Sequence, residues 1–372
     1  MKIARISVWQ KTLPLKKPYW LSGGRLKFEA LDTTILRIDT DEGLSGWGEG
    51  CPWGSTYLPA FGGGLRAALE ILAPVLIGRD PRDIEVIERA MDLALPGHPY
   101  AKAPLDVALW DIVGQAAGLP LYQLFGGKAG EAVPLNSSIP TGSPEEMVAA
   151  IEAARAEGCR VHSAKVGGSD PALDIARVEA IEAIRQPDEA IIYDANRAWT
   201  PALAVEVMNA VAPRGWFEQP CETLDQCLQV RRQTQQPLVL DECLQSFQHH
   251  LEAWKAGACE AVKVKTNRLG GLSKTRRARD FGRAVGWRMH VEELGGTALA
   301  DTATLHLAIS TPEENRLATW LCRPHLAEDP APDQGARIAG GQITLPDKPG
   351  IGVTLDPDWL GPPLTQYERP AP

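Results

Sequence analysis

Five charged residues in the middle of the chain each close a short apolar run, and they do so at a near-constant interval. Lys165 ends RVHSAK, Asp194 ends AIIYD, Glu218 ends GWFE, Asp241 ends PLVLD and Lys265 ends AVKVK. The steps between them are 29, 24, 23 and 24 residues. About 24 residues is what one strand, two short loops and one helix of three to four turns consume. A charge delivered at the end of each strand of such a repeat is how a (β/α)8 barrel builds a site. The spacing therefore predicts an α/β barrel with three carboxylates bracketed by two lysines at one end.

The flanking sequence divides around that repeat. Residues 1–50 read as β: KIARISVWQKTL alternates, and TTILRIDTDEGLSGWGE reads as a hairpin turning at Asp41-Glu42-Gly43. Two Gly- and Pro-rich stretches, KKPYWLSGG (16–24) and CPWGSTYLPAFGGG (51–64), read as loops carrying Tyr19, Trp20, Trp53 and Tyr57. Such rings either cover a ligand or pack on the next domain. From Leu65 to Phe125 the apolar spacing is helical, so residues 1–125 form an α+β capping domain.

From Val133 strand and helix alternate. Ser143 and Thr200 stand as N-caps, followed by Pro144 and Pro201 at the first helical position. GWRMH gives a strand ending at His290, and RLATW an eighth ending at Trp320. Residues 126–323 are thus expected to be the barrel, and 324–372 a segment whose GGQITLPDKPGIGV returns to the first domain. The basic cluster KTRRARD (274–280) reads as a solvated helix face.

Composition narrows the class of partner. A net charge of −9 argues against nucleic acid or an anionic membrane surface. The seven cysteines are odd in number and lack framework spacing, which points to reduced thiols. No signal-peptide core opens the sequence, and no apolar run reaches about 18 residues. The expectation is a cytoplasmic enzyme acting on a small molecule.

Asp194, Glu218 and Asp241 on successive strands should converge, and unpaired carboxylates sharing a pocket call for a cation. Oxygen donors without His or Cys indicate Mg2+ or Mn2+. The alternative is that each acid pairs with a basic residue at the barrel rim; the equal spacing favours the metal. Asn196, on the same face as Asp194, could bridge to the ion through a water. Lys165 and Lys265 should face each other across the carboxylates, with pKa values lowered by a cation so that one can act as a general base. Lys263, one layer deeper, is expected to form a structural ion pair. His290 is either an acid or substrate contact or a satisfied rim histidine. Trp320 either stacks on a substrate ring or cationic nitrogen or packs in the core.

These residues carry a resemblance that spans essentially the whole chain. LDVALWDIVGQAAGLPLYQLFGG (105–127), SAKVGG, YDANRAW, FEQPCE, LDECL and VKTNRLGG resemble the enolase superfamily, muconate-lactonizing-enzyme subgroup. The resemblance implies a (β/α)7β TIM-like barrel with an N-terminal α+β cap, one Mg2+ held by Asp194, Glu218 and Asp241, and Lys165 and Lys265 as acid/base residues. It also implies a homo-oligomer. One departure is visible: the usual K-x-K at the end of the second strand is Ser163-Ala164-Lys165 here. His290 resembles the mandelate-racemase subgroup, but Lys265 aligns the chain with the lysine–lysine enzymes.

Within the subgroup, HSAKVGG, DANRAWTP, EQPCETLDQC, HVEELGGTALADTA and NRLATW are most similar to the cis-3-hydroxy-L-proline dehydratases, with the hydroxyproline betaine epimerases as near relatives. That similarity implies an amino-acid substrate contacted by Trp320, Tyr57, Trp53, Trp20, Ser163, His290 and Glu292. It implies dehydration of cis-3-hydroxy-L-proline, with 2-epimerisation of a proline-like compound as the alternative, because the same two lysines serve both. A non-catalytic binding protein on the same scaffold would have no need for paired bases.

Overall fold

The computed structural model describes residues 1–212 and 215–368; the last four residues of the expected C-terminal segment lie outside them. The chain opens with three antiparallel strands, β1 (Ile3–Leu21), β2 (Leu26–Thr40) and β3 (Ser45–Gly50). The predicted turn at residues 41–43 joins the second pair. The stretch 16–24 is not a loop as expected: Lys16–Leu21 completes β1 and pairs back on β2 through a turn at 22–25, Tyr19 opposite Phe28. Alternating side chains carry this arm away from the cap sheet and over the barrel mouth. At its tip Gly23, with φ of +63°, lies so close to the barrel that a Cβ would fall 1.9 Å from Gly167 O.

Helices α1 (Gly62–Leu76), α2 (Ile84–Ala94) and α3 (Pro99–Ala117) follow. Helix α3 is buried on nearly every face because it is wedged between the cap sheet and the barrel. Its contact with β3 depends on Gly48, where a Cβ would meet Pro104 O at 1.9 Å.

The barrel strands come in the predicted places: a short β4 (Val133–Pro134), then β5 (Asn136–Ile139), β6 (Val161–Lys165), β7 (Ala190–Asp194), β8 (Trp216–Glu218), β9 (Leu238–Leu240), β10 (Ala261–Lys265) and β11 (Arg288–Glu292). β5 to β11 form one parallel sheet in sequence order. It closes through residues 316–319 in the eighth position: Leu317 N donates to Met289 O at 2.8 Å, and Asn136 N donates to Thr319 O at 2.9 Å. Strand β11 runs two residues past His290, so His290 lies within it. The helices between strands start as expected: Ser143 and Glu146 form a reciprocal capping box, and Thr200 Oγ1 accepts from Leu203 N.

The C-terminal segment does more than return to the cap. β12 (Arg337–Ala339) and β13 (Gln342–Thr344) pair with each other and with β4, at the barrel end away from the charged residues. β14 (Thr365–Glu368) then pairs with β1 in the cap sheet. The KTRRARD helix is not simply solvated. Lys274 and Arg277 bind Asp92 and Glu88 of α2, and Arg279 is buried and donates to Ser310. Among the described residues, no helix is long and apolar enough to cross a membrane.

Candidate active site

Parallel pairing sets the site's first coordinate. Lys165 is abreast of Asp194, and Asp194 is abreast of Glu218, across β6, β7 and β8. Lys265 is abreast of Glu292, and Lys263 of His290, across β10 and β11. Side chains two residues apart on a strand share a face, so the mouth of the barrel has one charged layer with a second beneath it.

In the upper layer Lys165 Nζ lies 2.5 Å from Asp194 Oδ2, and Lys265 Nζ lies 2.9 Å from Asp241 Oδ2. Asp241 Oδ1 also meets Arg268 at 2.6 Å. Beneath, Lys263 Nζ sits 3.1 Å from both Glu218 Oε2 and Glu292 Oε1, which is the internal ion pair expected of it. As they stand, no three His, Cys, Asp or Glu side chains among the described residues are gathered to hold an ion; each carboxylate faces a base.

Burial opposes charge on every one of these groups, and the neighbours decide the outcome. Burial is the largest influence on both Asp194 and Asp241 and would raise them, but the cations together outweigh it, Lys165 and Lys263 at Asp194 and Arg268, Lys265 and Lys263 at Asp241; both carboxyls are held below their usual range. Glu218 goes the other way. Burial and the charge of Asp194 push it well above the carboxylate range, Lys263 notwithstanding. For Lys165, burial lowers the pKa, and Asp194 together with Tyr19 and Glu218 more than reverses it, so the ammonium is held above its usual range.

One cleft gathers Lys165, Lys265, Lys263, Asp194, Asp241, Asn196, Glu292, Ser163, Trp320, Trp53 and Tyr57. Glu218 lies under it, fully buried, with Oε1 lacking any protein partner. Asn196 bonds Asp194: its Nδ2 donates to Asp194 Oδ2 at 3.1 Å. Ser163 is buried with Oγ unpartnered, abreast of Ser138. Glu292 Oε2 accepts from the backbone N–H of Trp320 at 3.1 Å. The Trp320 ring stacks on His325 with centroids 5.4 Å apart, leaving Nε1 buried without a partner.

Two expected contacts lie elsewhere. Trp20 is outside this cleft, 44% exposed with Lys27 over its ring, and lines an adjoining cavity that shares Tyr19, Ser138 and Lys165. Adjacent strand residues point to opposite faces, and it is Tyr19 that turns inward, against Trp53 at 5.1 Å and onto Ser138 Oγ at 2.6 Å. His290 is fully buried in the lower layer beside Lys263 and does not line the cleft. Burial and Lys263 push it down to about 3, so at neutral pH it is uncharged.

Sequence reasoning missed Asn136, Ser138, Glu242, Arg268 and Glu293, and left Tyr19 among rings that either cover a ligand or pack on the next domain. Strand parity would have separated Tyr19 from Trp20 had the arm been read as β. Arg268 follows Lys265 by three residues, where a helical turn folds it back onto Asp241. Glu242 and Glu293 each follow a residue already singled out, without a local sign that both neighbours would be used.

Comparison with known proteins places the whole chain in a family. Residues 4–126 match the mandelate racemase/muconate lactonizing enzyme N-terminal domain family, and residues 146–359 match the enolase C-terminal domain-like family. The chain is 40% identical over 369 residues to the cis-3-hydroxy-L-proline dehydratase of Roseibium aggregatum, covering 99% of this chain and 100% of that one. It is 28% identical to the N-succinyl-L-Arg/Lys racemase of Bacillus cereus, covering 97% of each. The crystal structure of an enolase superfamily member from Roseovarius nubinhibens, complexed with magnesium, superposes with a TM-score of 0.95 at 60% identity, covering 99% of this chain and 100% of that one. With both of its halves matched by family models and its full length aligned to a 40% identical relative, the chain belongs to the enolase superfamily and is an enzyme of that superfamily.

Proposed function

We propose that this enzyme dehydrates cis-3-hydroxy-L-proline to a pyrroline-2-carboxylate, with Mg2+ held by Asp194, Glu218 and Asp241. The observation that carries the reading is that Lys165 and Lys265 enter one cleft from strands four places apart in an eight-position barrel, with the carboxylates between them. The relative from Roseibium aggregatum supports the choice of substrate. The residues fit a hard cation: the donor set is all oxygen, and Glu218 Oε1 is buried with no partner inside the protein. Bound there, the ion would stabilise the negative charge that builds on the substrate carboxylate as the α-proton leaves.

The protein's own groups do the rest. In cis-3-hydroxy-L-proline the C2 hydrogen and the C3 hydroxyl lie on opposite ring faces. Lys165, as the neutral amine, takes the C2 proton. Lys265, as the ammonium, protonates the departing hydroxyl from the other face, so that the C3–O bond breaks and water leaves. The enamine then tautomerises to the imine. Release of Lys165 from its ion pair with Asp194 is the condition for it to act as base. Tyr19, Trp53 and Trp320 close over the ring and keep bulk water from the carbanionic carbon.

Incubation with cis-3-hydroxy-L-proline and Mg2+ in D2O tests the reading, and a pyrroline carboxylate with loss of water is expected. Epimerisation at C2 is the second reading, favoured by the same pair of lysines on opposite faces. Deuterium at C2 with no loss of water would establish it instead.

A further inference from the structure

Both cap segments that cover the cleft end on the same two residues of the barrel. Asn196 and Arg197 turn the chain after β7 with φ of +43° and +68°, a left-handed corner that non-glycine residues seldom form. Ser22, at the tip of the β1–β2 arm, donates its hydroxyl to Asn196 O at 2.8 Å. Tyr57, from the 51–64 segment, donates to Glu242 Oε1 at 2.5 Å, and that same oxygen accepts from Asn196 Nδ2 at 3.1 Å. The Arg197 guanidinium covers the Tyr57 ring at 5.1 Å, donates to Tyr57 O and pairs with Glu222 at 2.6 Å. The other contact of Asn196 Nδ2 is Asp194 Oδ2, while the Asn196 backbone N–H holds Asp194 Oδ1 at 2.8 Å.

We propose that Asn196 is a positioning residue that couples docking of both cap segments to the orientation of the Asp194 carboxylate. A strained corner persists only where its surroundings over-determine it. Here the surroundings are Ser22 on one side and the Tyr57–Glu242 pair on the other, and both are supplied or held by the cap. With the cap docked, Glu242 pulls on the same amide that grips Asp194, and the carboxylate is held in one orientation. With the cap lifted, the corner loses Ser22, Glu242 loses the Tyr57 hydroxyl, and the grip on Asp194 slackens. Enclosure of the substrate and alignment of a reacting-site carboxylate thereby become one event. This rests on the reading that Asp194 serves the reaction.

Two measurements on the full-length enzyme test it. Without added metal or substrate, amide hydrogen exchange in segments 16–25 and 51–64 should quicken about fivefold or more in Asn196→Ala, with the remainder of β2 and β3 unchanged. The substitution leaves the carbonyl that Ser22 uses, so faster exchange at the arm reports the lost amide. Unchanged exchange in both segments overturns the proposal. With Mg2+ and cis-3-hydroxy-L-proline, Asn196→Ala and Tyr57→Phe should each lower kcat about tenfold while KM moves less than about threefold. The double variant should lose little beyond Asn196→Ala alone, because the two act through one link. Losses that multiply overturn the proposal. Should Ala at the left-handed corner prevent folding, Asn196→Gly removes the amide without the backbone penalty and repeats both measurements. If the wild-type enzyme turns over no hydroxyproline, the proposed reaction fails, and the exchange measurement still judges the coupling.

Discussion

Lys165 Nζ and Asp194 Oδ2 stand 2.5 Å apart, so the proposed base and a proposed metal ligand hold each other while both are buried. Lys265 and Asp241 repeat the relationship at 2.9 Å on the far side of the barrel. Each lysine thus holds one aspartate of the site, though Asp241 is shared with Arg268, and the side of the ring each reaches separates their roles. Lys165→Ala should lower kcat for dehydration about 10³-fold and abolish deuterium uptake at C2. Lys265→Ala should lose dehydration by a similar factor yet still exchange the C2 hydrogen slowly in D2O. Proton NMR of the recovered substrate reads both outcomes, and exchange surviving in the first variant but not the second would reverse the assignment.

Lys263 is bonded to two buried carboxylates and is kept from solvent. Lys263→Met keeps the packing volume near constant but takes from Glu292, which Lys263 and Lys265 hold below the usual carboxylate range against burial, the nearer of its two bases. Removing one partner of a buried pair costs about 3–5 kcal/mol. Urea unfolding should show a lowered midpoint with an unchanged slope. A variant as stable as wild type would mean that Lys265 alone carries the charge of Glu292.

Magnesium bound by the native state alone stabilises it by mass action, by about 2.7 kcal/mol when its concentration is about 100-fold above Kd. Protein treated with a chelator should melt lower, regain its Tm on addition of MgCl2, and show no activity until then. Asp241→Asn should remove the gain in Tm. A gain that persists in Asp241→Asn would move the ion elsewhere.

His306 is buried between Tyr122 and the C-terminal segment. Its Nε2 bonds Ile351 O at 3.0 Å, and Nδ1 accepts from Tyr122 N at 3.3 Å, an arrangement only the neutral ring can make. Burial lowers it to about 4 from 6.5. A histidine depressed in the folded state is neutral in both states above 6.5. Between 6.5 and 4 the unfolded chain binds the proton and the folded chain does not, so stability is lost as the pH drops through that window. The Tm advantage of wild type over His306→Gln should therefore shrink from pH 7 to pH 4.5 in differential scanning calorimetry. An advantage constant across that range would place the proton elsewhere.

What could be read before any coordinates were in hand was whatever repeats locally. A five-residue apolar run ending in a charge is a strand whose last side chain lies at the barrel mouth, and a 24-residue period returns the chain to the same end. Lys165, Asp194, Glu218, Asp241 and Lys265 were legible for that reason, as were the helix caps at Ser143 and Thr200. Lys263 was legible by parity, two residues before Lys265.

The remaining assignments depended on contacts between residues far apart in the chain, which leave no local mark. Trp20 and Tyr19 are interchangeable in a loop; only pairing of residues 16–21 on β2 turns one inward and the other out. His290 and Glu292 differ by one layer, and where β11 ends decides which of them meets the cleft. Tyr57 meets Glu242 across 185 positions and Ser22 meets Asn196 across 174, distances over which periodicity carries no information. The sequence by itself determined the barrel, the end at which its charges gather and the chemistry those charges permit, because strand period and strand parity are local properties of the backbone. The tertiary structure alone decided which carboxylate each base holds and where the cap comes to rest, because both follow from side chains brought together by closure of the barrel beneath the cap.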